Sequence, residues 1–153
     1  MAAKKVDPDS IRLAMDLAWR DHHHMREQTW RALQIEAVLV AGLVGIDWQI
    51  RNIYATIAAG LLVLVAAPFG IQITLRHRQG EIRKFTHIIN CEEALGLHRD
   101  DLLPPRTISI PTSLRLIDAF RPSVSNTSAF ILRMHIAIIL FSILYVLGRI
   151  FLR

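Results

Sequence analysis

Residues 30–75 set the pattern: two apolar stretches separated by a short polar turn, with helix-patterned polar arms on either side. From Leu33 to Trp48 the chain is almost all apolar. At a rise of about 1.5 Å per residue the indoles of Trp30 and Trp48 stand about 27 Å apart, which suits an aromatic belt at the two faces of a hydrocarbon core. The turn carries Asp47, Gln49, Arg51 and Asn52, and 53–75 is then apolar apart from Thr56, Gln72 and Thr74. Ala37, Ala41 and Gly45 recur every fourth residue in the first stretch, and Ala55, Ala59, Ala66 and Gly70 answer in the second. Small residues at this spacing let helix backbones approach closely in lipid, so a tight antiparallel hairpin is expected. A turn centred near residue 49 or 50 pairs residue i with 99 minus i, bringing Ala41 near Ala58 and Ala37 near Leu62.

The arms extend this hairpin. Asp7, Pro8, Asp9 and Ser10 predict a helix start, with Pro8 suited to the first helical position. Neither Gly nor Pro occurs from Ser10 to Val40, so one helix is expected from Ser10 to Trp48. Its polar part carries Ile11, Ala14, Met15, Ala18 and Met25 on one face, a face that has to be covered. Residues 76–97 supply a second helical arm with Ile82, Phe85, Ile89 and Ala94 on one side. The same rule sets Asp21 near Arg78 and Asp16 near Arg83. Pro68 is expected to kink the second helix and Gly96 to stop it.

Beyond the arms, Pro104, Pro105, Pro111 and Pro122 break the pattern, and Ile108 with Ile110 reads as a short extended piece. Thr112 is placed to cap a short interfacial helix ending at Phe120, with Leu114, Ile117 and Phe120 opposing Arg115 and Arg121. Asn126 and Thr127 then cap a third apolar helix. The fold class that results is an all-α membrane protein, a long antiparallel transmembrane hairpin extended into a cytoplasmic helical stalk, plus a third C-terminal transmembrane helix. Spans are expected at about 31–48, 53–75 and 129–152, a stalk at 10–30 with 76–97, and an interfacial connector at 98–128, all in one membrane domain.

Composition sharpens this picture. The chain is 52% hydrophobic, too apolar for an ordinary soluble domain, yet 20% charged, so part of it stands in water. The net charge of +5 does not point to nucleic acid, because Lys and Arg are distributed by membrane side. Lys4, Lys5, Arg12, Arg20, Arg26 and Arg31 precede the first span, and Arg76, Arg78, Arg83, Lys84, Arg99, Arg106, Arg115 and Arg121 lie between the second and third. Only Arg51, Arg149 and Arg153 fall on the other side. That bias puts the N-terminus in the cytoplasm and, with three spans, the C-terminus outside, where Arg149 and Arg153 are unfavourable and leave a re-entrant or tilted third helix as the alternative. The first apolar segment follows about thirty mostly polar residues, so it is read as a span and not as a signal peptide. Cys91 is the single cysteine, which excludes an intrachain disulfide.

Candidate chemistry lies in two places. His22, His23 and His24 are adjacent on a helix and point about 100° apart, so they cannot all ligate one ion. The spacing favours His23 with Glu27, joined across the hairpin by His77, and a second pair, His87 with Cys91; a solvated or structural role for these side chains competes with metal binding. Within the spans, Glu36, Arg133, His135 and Gln72 are the polar residues of interest. Buried ionisable groups are costly in lipid, so Glu36 and Arg133 read either as an interhelical ion pair or as part of a charged ring lining a pore. Trp30 and Trp48 are the interface anchors. There is no phosphate loop, nucleophile elbow or paired carboxylate, so no enzyme and no cofactor are expected.

The string Arg26–Glu27–Gln28–Thr29–Trp30 before a first span, with a close second span and a helix returning to the cytoplasm, resembles the small bacterial two-span effectors of the SLATT type over about residues 20–97. That resemblance implies a bacterial inner membrane and an effector that forms pores in nucleotide-triggered defence. The third span departs from the two-span plan, and no functional residue carries over. The expected function is therefore a membrane protein that homo-oligomerises, with the lipid bilayer and its own copies as partners, and conducts ions. A scaffold or regulatory subunit without conduction, and a metal- or haem-binding protein using the histidines, are the alternatives.

Overall fold

The structure is a computed structural model that describes residues 7–97, 110–121, 123 and 126–151. Its described residues form three long α-helices and one short 3-10 helix, with no strand: α1 Pro8–Ile50, α2 Ile53–Ala94, the 3-10 helix Leu116–Phe120, and α3 Thr127–Phe151. Each of the three α-helices is long and apolar enough to cross a membrane.

The helix ends follow from local chemistry. Asp7 caps α1, its carboxylate accepting the Asp9 and Ser10 amides at 3.4 and 3.3 Å, with Pro8 at the first helical position. α1 runs past Trp48 to Ile50, and only Arg51 and Asn52 separate it from α2. Arg51 takes a left-handed conformation, φ 52°, and its amide bonds the Asp47 carbonyl at 3.1 Å. Asn52 then caps α2 by accepting the Tyr54 amide at 2.9 Å. α2 is continuous through Pro68 and ends where Gly96, φ 73°, lets the Leu97 amide reach the Glu92 carbonyl at 3.1 Å. Asn126 caps α3 through the Ala129 amide at 2.8 Å.

The buried positions share one period. On α1 they are His22, Thr29, Glu36 and Leu43, seven residues apart, with Asp47 beyond. On α2 they include Thr56, Val63, Gly70 and His77, interleaved with Gly60, Ala67, Thr74, Glu81 and Ile88. On α3 Ser128, His135 and Ser142 repeat the same spacing. Seven-residue recurrence keeps one stripe of a helix against its neighbours, and here the stripe is made largely of polar and small side chains. Ala37 and Ala41 do not lie on it: both are exposed, and a Cβ added at Gly42 or Gly45 would meet nothing within 4 Å. The expected contact of Ala41 with Ala58, likewise exposed, is therefore not the close approach. Gly60 and Gly70 provide it instead, Gly60 against Val146 and Gly70 against Glu36 and His135.

The chain divides into two compact units, Met1–Arg26 with His77–Ser113, and Glu27–Arg76 with Leu114–Arg153. In the first, Asp21 pairs with Lys84 rather than Arg78, Trp19 packs edge-on against Phe85 at 5.7 Å, and Met25 covers Gly80. Asp16 pairs with Arg20 of its own helix at 2.8 Å and Arg78 with Glu81, so neither expected cross-pair forms. The pairing is displaced because Asp47 to Ile50 stay helical, which moves the interhelical break to Arg51 and Asn52. Ile88 is the fully buried apolar residue of this arm of α2; Ile82, Phe85 and Ile89 are half-buried beside it.

In the second unit Leu114, Ala119, Ala129 and Leu132 form a core against Ile71, Leu75 and Ile136. The helix expected from Ser113 is shortened to the 3-10 turn. Asp118, not Thr112, caps it by accepting the Arg115 amide at 2.8 Å, and the Thr112 carbonyl instead takes a hydrogen bond from Arg78 Nε at 2.9 Å in the first unit. Leu114 turns into the core while Ile117 and Phe120 face outward. Ile108, Pro104, Pro105, Pro122 and Leu152 lie outside the described residues.

Candidate functional site

The second unit holds two polar networks that involve all three α-helices. In the first, His135 Nδ1 lies 2.7 Å from Glu36 Oε2, and His135 Nε2 lies 3.1 Å from Thr74 Oγ1. Thr74 Oγ1 also lies 2.9 Å from the Gly70 carbonyl, to which its hydroxyl donates, so His135 bridges a carboxylate of α1 and a hydroxyl of α2. His135 and Glu36 are 0% and 2% exposed, and Gly70 makes their approach possible: a Cβ there would overlap the carboxylate and sit 2.6 Å from His135 Cε1. The other carboxylate oxygen, Oε1, is buried without a hydrogen-bond partner, at a cost of about 1–3 kcal/mol.

The second network centres on Asp47. Its Oδ1 accepts the Thr56 hydroxyl at 2.7 Å, its Oδ2 accepts the Tyr145 hydroxyl at 2.8 Å, and Arg149 Nε lies 2.7 Å from Oδ2. Asp47 had the appearance of a turn residue in the sequence; it is buried on the same stripe as Glu36 and Leu43. That shared face was the available signal for it, since residues four and seven apart on a helix lie together.

The pair expected between Glu36 and Arg133 is replaced by Glu36 with His135. Arg133 points elsewhere, donating from Nε to the Ala119 carbonyl at 2.9 Å and from its terminal nitrogen to the Arg121 carbonyl at 2.7 Å, which ties the 3-10 helix to α3. Two residues along a helix turn a side chain by about 200°, so Arg133 and His135 cannot serve one carboxylate equally. Gln72 is exposed and joins neither network. Trp30 and Trp48 both face outward, Trp48 at 78% exposure.

The first unit gathers His22, His77 and Glu81. One ligand atom from each lies within 4.8 Å of the others, and all three side chains are buried. Glu81 Oε1 is 3.3 Å from His77 Nε2 and 3.9 Å from His22 Nδ1, while Oε2 takes a hydrogen bond from Arg78 at 2.8 Å. The imidazoles stack at 6.0 Å, and Phe85 covers His22 with ring centres 5.0 Å apart. Burial pushes the His22 imidazole below its ordinary value despite the opposing pull of Glu81, favouring the neutral ring. Burial raises the Glu81 carboxyl, but hydrogen bonds and charge from His77 and Arg78 outweigh it and hold it at about 2.

The other histidines fall differently from their expected groupings. His23 is exposed and stacks on Trp19 at 6.2 Å, and Glu27 is taken by Arg31 at 2.6 Å. His77 joins His22, the one member of the triplet that faces inward. His87 and Cys91 do meet, Nε2 to Sγ 3.7 Å, as a pair in which burial pushes the Cys91 thiol up. No family model, curated protein or solved structure matches the chain.

Proposed function

We propose that the protein is a three-span integral membrane protein with its N-terminus in the cytoplasm, α1 and α2 forming an antiparallel hairpin and α3 laid against it, and that it serves as a membrane scaffold or regulatory subunit. The hairpin is supported by the hydrogen bond of Asp47 to Thr56 beside the turn and by the pairing of Asp21 with Lys84 in the arms. The observation that carries the functional reading is the inward pairing of the ionisable residues of the spans. Glu36 is answered by His135, and Asp47 by Arg149, Tyr145 and Thr56, within one chain. Such residues hold helices together where lipid provides no hydrophobic drive between them.

Orientation rests on the Lys and Arg bias: fourteen such residues lie on the N-terminal side of the spans, against Arg51, Arg149 and Arg153 on the other. A conducting homo-oligomer of the kind implied by the SLATT resemblance would instead have to line its path with side chains left exposed, among which Gln34 and Gln72 are polar. Reconstitution into planar bilayers separates the two. The scaffold reading expects no discrete currents above the lipid baseline, and single-channel events that change with Gln72→Ala would replace it with the pore.

A further inference from the structure

We propose that His22, His77 and Glu81 form a binding site for a divalent transition-metal ion of the zinc type. The residues come from α1 and from the second half of α2, so an ion there would clip the two segments of the first unit together.

Three observations point the same way. First, the donor set of two imidazoles and one carboxylate is that of open zinc sites, which leave a fourth position for water or a ligand. Second, the donor atoms converge. Ligand atoms in a tetrahedral zinc site stand about 3.3 Å apart, given metal bonds of about 2.0–2.1 Å. The separation of His77 Nε2 from Glu81 Oε1 is 3.3 Å, and that of His22 Nδ1 from the same oxygen is 3.9 Å, closable by small side-chain rotations. Third, His22 Nδ1 is buried with no hydrogen-bond partner and stands 3.9 Å from the shared Glu81 oxygen. A structural cluster of hydrogen bonds would satisfy that nitrogen; a metal ion satisfies it directly.

The surroundings suit the purpose. Arg78 holds the far oxygen of Glu81 at 2.8 Å and is itself fixed by the Thr112 carbonyl at 2.9 Å, so the carboxylate is oriented by a neighbour that does not occupy the ligand oxygen. Trp19 and Phe85 wall His22 with aromatic surface at 6.0 and 5.0 Å, leaving the imidazole little freedom to turn away. The mixed nitrogen and oxygen donors favour zinc, cobalt or nickel over magnesium or calcium, which prefer all-oxygen shells.

The test uses the full chain purified in detergent without a polyhistidine tag, with Co2+ as the spectroscopic probe and Zn2+ as competitor. One Co2+ per chain is expected, with the visible bands of four-coordinate cobalt, displaced by Zn2+ and not by Mg2+. His22→Ala and His77→Ala should each weaken binding by about 100-fold or more, and Glu81→Gln should weaken it as well. His23→Ala, His24→Ala and His87→Ala should leave it unchanged. Wild-type protein should also gain thermal stability with Zn2+, a readout that needs no variant to fold. Substoichiometric uptake, the absence of any thermal shift, or binding that follows His23 and His24 instead of His22 and His77 would each overturn the site.

Discussion

Gly70→Ala is the sharpest perturbation of the network of Glu36, His135 and Thr74, because it adds one methyl group at the point where three helices meet. The new Cβ would overlap the Glu36 carboxylate and stand 2.6 Å from His135 Cε1 and 2.8 Å from His135 Nδ1, so the bond between the two side chains cannot persist in place. Overpacking costs about 1–3 kcal/mol. Parting the buried Glu36 carboxylate from His135 Nδ1 adds about 1–3 kcal/mol. Alanine returns about 1 kcal/mol through its higher helix propensity. The net expectation is a destabilisation of about 3 kcal/mol, or a midpoint lowered by about 6–12 °C for a chain of this size. Gly42→Ala is the matched control: nothing lies within 4 Å of its Cβ position, so only the propensity gain remains. Thermal unfolding followed by circular dichroism in one detergent compares the three proteins directly. If Gly70→Ala is as stable as the wild type, the close approach of Glu36 and His135 is wrong. If Gly42→Ala is destabilised instead, a second copy occupies the face left open in the single chain.

Further outcomes follow from the same geometry. A double-mutant cycle on Glu36 and His135 should give a coupling of about 1.5–3 kcal/mol, whereas Glu36 with Arg133 should give nearly none; equal couplings would refute the assignment. Asp47→Asn should loosen the end of α3 by about 1–3 kcal/mol, below the range for a fully buried pair because Arg149 is 35% exposed, and Arg149→Gln in the same chain should recover part of it. In a Cys91→Ser background, an impermeant thiol reagent added outside should label Gln49→Cys and spare Glu93→Cys; labelling of the second alone would invert the topology. A cysteine pair at Asp21 and Lys84 should cross-link within one chain, and cross-linking only between chains would separate the arms. Acid should destabilise the first unit. His22 resists protonation when folded, so stability begins to fall below its ordinary 6.5, and the contribution of Glu81 is present above 4.5 and lost as the pH falls toward about 2. A flat midpoint between pH 7 and pH 4 would count against the buried cluster.

Helices were legible because their signals are local. Pro8 after Asp7, Gly96 after a patterned arm and Asn126 before an apolar run each act within a turn of the chain, and each stands at the helix end expected of it. Side-chain partners were less legible because they depend on rotation and register between helices. His22 illustrates this: it fills the gap between Ala18 and Met25 on the buried face of α1, but in the sequence it is one of three adjacent histidines, and only the face it occupies distinguishes it from His23 and His24. Asp47 was hidden by its neighbours, since Asp47, Gln49, Arg51 and Asn52 together read as a turn, while α1 continues to Ile50. Glu36 stood out as an acid in an apolar stretch, yet its partner depended on which face of α3 meets α1, and that is fixed by packing at Gly70.

The two networks of the second unit do more together than either does alone. In lipid, apolar side chains gain little by choosing one helix neighbour over another, so apolar packing by itself leaves a helix free to slide and rotate. A single polar contact fixes one point and still permits pivoting about it. Glu36 and Asp47 are eleven residues apart on α1, about 16 Å along its axis, and their partners His135 and Arg149 are fourteen apart on α3, about 21 Å. The long Arg149 side chain and Tyr145, ten residues from His135, accommodate the difference. Two fixed points at different heights along the helices set both the register and the facing of α3. On the membrane reading proposed above, sliding by one turn would strand Glu36, His135, Asp47 and Arg149 together, so the cost is cooperative where lipid alone would make it small. A cysteine scan along α3 with cross-linking to α1 would read this as a single sharp register in the wild type. Asp47→Asn combined with Glu36→Gln should broaden it to several, and a register that stays sharp in that double variant would mean that apolar packing, not the polar pairs, holds the helix.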